Sequence, residues 1–425
     1  MAKKFQRPKD TRDLLPADLA TWQQVEEIAR LTAEVYGYSE IRTPVFEPVE
    51  LFARTIGAST DIVEKEMYAF ETAGGDKFAL RPEGTAGICR AYLEAGMHKS
   101  APFQKFWYSG PMFRHDKPQK GRYRQFWQFG VEAFGSDDPL LDAEVVRVGA
   151  EIIEKAGIDD VSVKLSSIGC MEPDCRPAYR EKLKAYFEGK KDELCGDCRR
   201  RLETNVLRIF DCKVPGCGEV ASAAPKPLDN LCDECAAHFE AVKSGLDARE
   251  VIYDVDPMIV RGLDYYTRTV FEYFAEGVEG SQDALGGGGR YDGLIEILDG
   301  PHVPAIGLAL GLDRIVGRCP VRESDGTKVH IISPSMNQAA QRRALVLSTM
   351  LRQRGIQAVM VFGNRSVKSQ ERVARKSGAD FAVIWSPEQE ERGVVKVKPL
   401  KGQGRQEEVR EDELCDWIVQ HSQKE

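Results

Sequence analysis

The sequence predicts an α+β fold: an antiparallel sheet flanked by helices, broken by a mainly helical insertion and followed by a separate α/β domain. Three observations predict it. Early strand-like stretches such as KFALRP (77–82) and FQKFWYSGPMFR (103–114) mix aromatic and polar residues, which suits an antiparallel sheet with one working face rather than a buried parallel one. From about Cys170 to Arg249, cysteines, charges and short helical patterns replace those strand signals. Past a polar linker, CPVRESDGTK (319–328), strands and helices alternate regularly. The expected organisation is a discontinuous first domain (1–169 and 250–320), an insertion (170–249) and a C-terminal domain (328–425).

In chain order, DLATWQQVEEIARLTAEVYG (18–37) spaces Leu19, Trp22, Val25, Ile28, Ala29 and Leu31 as one face of a helix that Gly37 ends. SEIRTPVFEPVELFARTI (39–56) then alternates as a strand through Ile41, Thr43 and Val45 and turns at Pro48. FRHDKPQKGRYRQFWQFGVE (113–132) closes a hairpin, with KPQKG as the turn. RGLDYYTRTVFEYF (261–274) carries a strand through Val270, Glu272 and Phe274. ALGGGGRYDGL (284–294) offers glycines 286 to 289, which either let backbone pass close to a ligand or form a flexible turn. AIGLALGLDRIV (305–316) puts small residues at helix-packing positions ahead of Asp313 and Arg314. In the last domain, strands VHIISP, QAVMVF and FAVIWS alternate with helices near 337–354 and 366–376.

Composition bounds the function. A length of 425 residues with 42% apolar content allows two or three real cores. No apolar run is long enough to cross a bilayer and the start lacks a secretory hydrophobic stretch, so the expected location is cytoplasmic. In such a chain, CxxC pairs among eleven cysteines point to metal or redox sites rather than disulfides. The net charge of -8 does not announce a nucleic-acid binder, but local clusters decide what a surface attracts.

The densest cluster lies in the hairpin, where Arg114, Lys117, Lys120, Arg122 and Arg124 gather. Strand alternation sorts its second arm: Arg122, Arg124, Phe126, Gln128 and Gly130 share one face, and Tyr123, Gln125, Trp127, Phe129 and Val131 the other. Guanidinium forks bind phosphate bidentately and a ring stacks on a base, so the first face suits ATP. A solvated basic hairpin is the competing reading. Arg261 needs an anionic partner if buried, supplied by a ligand or by Asp264 or Glu272. Glu83, Thr85, Glu132, Tyr265 and Tyr266 offer the acceptors and hydroxyls that hold a protonated amine or imidazole. In the insertion, CGDC (Cys195, Cys198) and CDEC (Cys232, Cys235) together suit one tetrahedral Zn²⁺, with Cys212 and Cys217 of CKVPGC as alternative ligands. Reduced cysteines without metal are the other reading.

These motifs, in this order, resemble the histidyl-tRNA synthetase family of the bacterial type, within the class II aminoacyl-tRNA synthetases. The resemblance runs from RPKDTRDLLP through the C-terminal domain. IRTPVFEPVELF resembles the first class motif, GPMFRHDKPQKGRYRQFWQFGVE the second and AIGLALGLDRIV the third; RGLDYYTRTVFE and GGGGRYDGL are similar to segments particular to the histidine enzyme. The resemblance implies a class II catalytic domain, a homodimer with Pro44 at its interface, and a C-terminal anticodon-binding domain. It implies ATP with Mg²⁺, L-histidine and tRNA(His) as reaction partners, and no membrane. By the same resemblance Arg114 would hold the α-phosphate, Arg122 the outer phosphates, and Phe126 and Arg314 would sandwich adenine. Arg261 would meet the α-phosphate from the histidine side. Glu83, Thr85, Gln128, Glu132, Tyr265 and Tyr266 would bind histidine. Asp116 stands where the family pattern has glutamate, a shorter arm toward adenine. In the C-terminal domain, Arg342, Arg343, Arg352, Arg354, Arg365, Lys368, Arg372, Arg375 and Lys376 form a basic excess suited to RNA phosphates. The alternative function is the regulatory paralogue of ATP phosphoribosyltransferase, which shares the catalytic domain but generally lacks the C-terminal one.

Overall fold

The structure, a computed structural model, describes residues 5–57, 60–116, 122–259, 263–275, 284–320, 326–333, 337–361, 365–401 and 404–422. The hairpin turn with Lys117 and Lys120, much of the linker, and Arg261 lie outside the described residues. The chain divides into two compact units, Met1–Arg322 and Glu323–Glu425.

Strands of the first unit are β1 (Ser39–Glu40), β2 (Phe46–Pro48), β3 (Ala69–Glu71), β4 (Lys77–Leu80), β5 (Gln104–Phe113), β6 (Gln125–Phe134), β7 (Val161–Ser167), β8 (Tyr253–Val255), β9 (Thr267–Ala275), β10 (Ala284–Arg290) and β11 (Ala305–Gly311). The large sheet runs β1-β5-β6-β11-β10-β9-β7-β8, and β2-β4-β3 form a small second sheet. The six central strands of the large sheet are all antiparallel; only its edge strands β1 and β8 pair parallel.

The first helix, Pro16–Val35, starts with proline in its first turn, where the missing N–H costs nothing, and buries Trp22, Val25 and Ala29. It packs on the helix Pro139–Lys155, which contributes Val145, Val148 and Ile152 to the core over the sheet. Leu31, expected on the buried face, is 48% exposed because it lies off the stripe set by those three residues. The strand expected through Ile41, Thr43 and Val45 is cut to two residues of β1 before it and to β2 after it. Pro44 accounts for the break, since it cannot donate to a ladder.

Two further expectations change. AIGLALG is strand β11 rather than helix: a seven-residue apolar run has no period to tell the two apart, and neighbours on both sides make it a central strand. The glycine run is no turn either. It is β10, whose Gly288 lies so close to β11 that a Cβ there would overlap the Gly307 carbonyl. At the end of β10 a wholly buried Arg290 pairs with buried Asp142 of the helix Pro139–Lys155, 3.1 Å from Asp292 and donating to the Ser136 carbonyl at 2.9 Å. Such a buried charge is tolerated only because every partner is present.

Between β7 and β8 the chain is helical, with helices Arg176–Glu188, Gly196–Thr204, Pro215–Ser222 and Asp233–Asp247. The first three share a core of their own built on Leu183, Phe187, Leu202 and Ile209. The fourth instead packs Phe239, Val242 and Leu246 into the main core.

The second unit is a sheet of order β13-β12-β14-β15-β16, with β12 (Lys328–Ile332), β13 (Gln357–Met360), β14 (Phe381–Ile384), β15 (Val394–Pro399) and β16 (Glu407–Arg410). β12 is parallel to β13 and β14; β15 and β16 add antiparallel. Helices Gln338–Gln353 and Val367–Lys376 begin at Asn337 and Ser366, whose side chains cap them. No helix among the described residues is long and apolar enough to cross a membrane.

Candidate active site

A cavity of about 420 Å³ opens over the central antiparallel strands. From the hairpin come Arg114, Asp116, Arg122, Phe126, Gln128 and Glu132; from the start of the helix Thr85–Glu94 come Thr85 and, just before it, Glu83; Tyr265, Tyr266 and Arg314 complete the wall. Every sequence-derived ATP or histidine residue that is described thus lines one cavity, with Arg261 outside the described residues. The strand parity explains much of this. Phe126, Gln128 and Glu132 point into the cavity while Phe129 and Val131 are buried beneath, and glycines 286 and 287 of β10 form part of the floor. Arg124, expected on the same face, instead pairs with Asp10 at 3.4 Å.

One part of the cavity gathers acceptors. Thr85 Oγ1 donates to Glu132 Oε1 at 2.6 Å, and the Tyr291 hydroxyl donates to Glu132 Oε2. Burial, with Glu83 nearby, still pushes the Glu132 carboxyl up to about 8 against these two bonds. Glu132 sits against Gly307 of β11, where any Cβ would overlap its carboxylate. Glu83 accepts from the Thr85 and Ala86 backbone N–H groups at 2.6 and 3.0 Å, capping the helix Thr85–Glu94, and burial raises it too. Among the described residues, Gln128 Oε1 and the Tyr108 hydroxyl are buried without a partner. These two atoms line the cavity, where a bound polar ligand could complete their bonding.

The other part gathers guanidinium groups. Arg122 pairs with Asp116 at 2.6 Å. Arg114 donates to the Pro82 carbonyl at 2.9 Å and lies 5.4 Å over the Phe126 ring. Solvent reaches it through the cavity mouth, yet surrounding atoms desolvate its guanidinium and lower its pKa. Arg314 donates to the Ala284 carbonyl and is lowered by burial first, then by Arg122 and Arg114 nearby. A guanidinium crowded by two others in this way suits an anion placed among them. Glu66, which also lines the cavity, is raised by burial and by Asp116.

Sequence reasoning missed Tyr291, Tyr108, Glu66, Glu272 and Arg208 as lining residues. Tyr291 stands two residues past the glycine run and could have been taken with it; Glu66 and Arg208 carry no local signal. The expected grouping of the two CxxC pairs changes, and Cys212 and Cys217 take the alternative place offered them. Cys195 and Cys198 gather not with Cys232 and Cys235 but with Cys212 and Cys217, while Cys232 and Cys235 gather with Cys170 and Cys175. The two CxxC knuckles begin different helices, so each meets a C-x4-C pair rather than the other. The CMEPDC spacing, the same as that of CKVPGC, was the unused signal.

A six-stranded antiparallel core with a nucleotide-sized cavity, arginines on its hairpin and a separate mixed α/β unit defines the class: a class II aminoacyl-tRNA synthetase. A family model described as histidyl-tRNA synthetase matches residues 10–315, and one described as anticodon binding domain matches 328–421. The chain belongs to the histidyl-tRNA synthetase family. It is 46% identical over 419 residues to a histidine–tRNA ligase of Desulforamulus reducens, covering 97% of this chain and 98% of that one. A histidine–tRNA ligase of Desulforudis audaxviator is 46% identical over 414 residues, covering 97% and 98%. The crystal structure of apo S. aureus histidyl-tRNA synthetase superposes with a TM-score of 0.81 at 35% identity, over 98% of this chain and 100% of that one. The function is accordingly that of a histidine–tRNA ligase, an enzyme, and not of the regulatory paralogue.

Proposed function

We propose that this cavity joins L-histidine to ATP as histidyl-adenylate, releasing pyrophosphate, and that the histidyl group then passes to a terminal ribose hydroxyl of tRNA(His). The observation that carries the assignment is one cavity with buried acceptors in one part and, in the other, three arginines, Arg114, Arg122 and Arg314, the last lowered by burial and by the charges of the other two. Glu132, Glu83 and Gln128 receive the amino group and imidazole, with Thr85, Tyr265 and Tyr266 shaping the pocket. Arg114 and Arg261 meet the α-phosphate where the histidine carboxylate attacks; Arg122 takes the outer phosphates. Phe126 and Arg314 bracket adenine, and Asp116, by holding Arg122, orients that arginine rather than reaching the base. Mg²⁺ bound with ATP would neutralise phosphate charge, and Glu66, with Asp116 near enough to raise it, is the carboxylate of the cavity that would face it. Little covalent work falls to the protein; positioning and charge stabilisation dominate.

The catalytic part is assigned to 1–169 and 250–320, with 170–249 inserted and 328–425 binding the anticodon. Exposed Phe46 and Phe70 pack with Phe78 on the small sheet next to exposed Pro44, an apolar surface that supports a homodimer there. The working location is the cytoplasm. A structural zinc in the insertion stays part of this reading, on the redrawn ligands.

The test is histidine-dependent exchange between ATP and pyrophosphate, run over all twenty amino acids without tRNA. Exchange with histidine alone is expected; exchange with none, while histidine still binds, would return the regulatory reading. For RNA binding the structure separates the basic residues of the last unit. Arg343 pairs with Glu390 and Glu411, Arg354 with Asp416, and Arg352 and Arg375 bond backbone carbonyls. Arg365, Lys368, Arg372 and Lys376 are exposed with no side-chain partner among the described residues. Replacing Lys368, Arg372 and Lys376 by alanine should lower tRNA affinity and reduce the slope of log K against log salt by roughly one for each phosphate that is no longer neutralised. An unchanged slope would move the RNA-binding surface elsewhere.

A further inference from the structure

Eight of the eleven cysteines stand in two separate quartets, an outer one of Cys170, Cys175, Cys232 and Cys235 and an inner one of Cys195, Cys198, Cys212 and Cys217. Within each quartet all four sulfurs lie within 4.8 Å of one another. The Cys170–Cys232 and Cys195–Cys212 sulfurs are each 3.8 Å apart. A disulfide needs about 2.05 Å. Four thiolates at about 2.3 Å from one Zn²⁺ have tetrahedral edges of about 3.8 Å. An iron–sulfur cluster, which places its own sulfides between the cysteines, would hold them farther apart than four ligands sharing one ion.

The two quartets repeat one design. Each joins a C-x2-C knuckle to a C-x4-C pair, and the first cysteine of each knuckle is the residue before a helix, with φ, ψ of -67°, 166° at Cys195 and -69°, 163° at Cys232. In each, that same residue's backbone N–H points at a sulfur of the C-x4-C pair: Cys195 N to Cys217 Sγ at 3.2 Å and Cys232 N to Cys175 Sγ at 3.4 Å. N–H groups aimed at sulfur are the usual support of metal-bound thiolates.

The surroundings differ, and with them the work of each ion. Inner Cys198 and Cys217 sit in the insertion's own core with Leu183, Phe187 and Leu202. The outer quartet instead ties the first residues of the insertion to the helix Asp233–Asp247, which packs into the main core. It also abuts the histidine pocket. Arg176, next to Cys175, donates to the Tyr266 carbonyl at 2.5 Å, and Arg268 pairs with Glu234, which lies between Cys232 and Cys235. Arg268 in turn exchanges backbone hydrogen bonds of 2.9 Å with Gly169 and Ile168, just before Cys170.

We propose that the insertion binds two structural zinc ions, one per quartet, and that the outer ion positions the Tyr265–Arg268 segment of the amino-acid pocket. The metal content stands apart from the synthetase reading; the pocket effect rests on it. The wild-type full chain, purified from zinc-supplemented medium, should contain two zinc and no iron per chain. X-ray absorption should show four sulfurs at about 2.3 Å per zinc. Alkylation mapped by mass spectrometry should reach the eight quartet cysteines only after chelation. These readouts need no variant; one zinc or none, a shell of mixed nitrogen and sulfur, or a disulfide overturns the proposal. The pairs Cys175→Ser/Cys235→Ser and Cys198→Ser/Cys217→Ser should each retain one zinc. In pyrophosphate exchange the outer pair should raise the KM for histidine about tenfold with little change in that for ATP, the inner pair should change neither, and Cys235→His should restore both the metal and the KM. Equal effects of the two pairs would remove the positioning role, while wild-type exchange with histidine verifies the synthetase reading independently.

Discussion

Arg114→Ala lowers histidine-dependent pyrophosphate exchange by about 10³-fold, with most of the loss in kcat. The size follows from the place of the charge. Arg114 enters a desolvated cavity beside Phe126, and a fixed guanidinium facing an anion that develops in the transition state contributes on the order of 3–4 kcal/mol. Among the described residues its side chain holds the fold only through a bond to the Pro82 carbonyl and the contact with Phe126, so circular dichroism and melting should change little. Arg114→Lys should recover only part of the rate, because an ammonium is a point charge and cannot grip two phosphate oxygens in a plane. Arg261→Ala has an expected loss of similar size in adenylate formation with a modest loss of histidine binding. If histidine binding and adenylate formation fall equally, Arg261 has no special part in the reaction step.

Glu132→Gln pulls stability and function in opposite directions. Burial holds the Glu132 carboxyl near 8 in the unliganded fold, against about 4.3 in an unfolded chain. A raised acid binds its proton in the fold but not in the unfolded chain between those values, so it costs stability as pH rises from about 4.3 to about 8, and the cost is constant above. The glutamine variant lacks that slope. It should be more stable than wild type at pH 8, by on the order of 5 kcal/mol, and close to wild type at pH 4.5. It should bind histidine about 10²-fold more weakly, because a charge-assisted bond to the substrate cation becomes a neutral one. In the wild type, histidine affinity should rise with pH up to about 8 as the carboxylate becomes available. Thermal melts across pH, and calorimetric titration of histidine, check both halves; a glutamine variant that keeps wild-type affinity would place the substrate cation elsewhere.

The site was legible where a short-range period carries it. Phe126, Gln128 and Glu132 share a face because strands alternate, and no long-range information is needed for that. Arg124 escaped the same rule because Asp10, far away in sequence, captures it. The pair of Arg290 with Asp142 spans 148 positions and leaves no local trace. AIGLALG misleads toward helix because a brief apolar run fits either period, and its true state is decided by the strands on both sides. The cysteines failed differently. Their types and spacings were readable, but which pairs meet depends on how the helices fold back, and several pairings fit the same spacings. Histidine specificity came through the resemblance of RGLDYY and GGGGRYDGL, not through the chemistry of single residues.

The glycines of β10 and β11 bear on how the enzyme could escape an inhibitor. Part of the cavity wall is bare peptide: Gly286, Gly287 and Gly307 line it. Side chains at Gly286 or Gly288 would strike β11, and one at Gly307 would strike Glu132. A compound that stacks on the peptide planes at Gly286 and Gly307 therefore touches a surface that point mutation can scarcely remodel without disturbing the sheet or the Glu132 carboxylate. Resistance would have to arise from the arginine and aromatic side of the cavity, where each change also costs the cell its own catalysis.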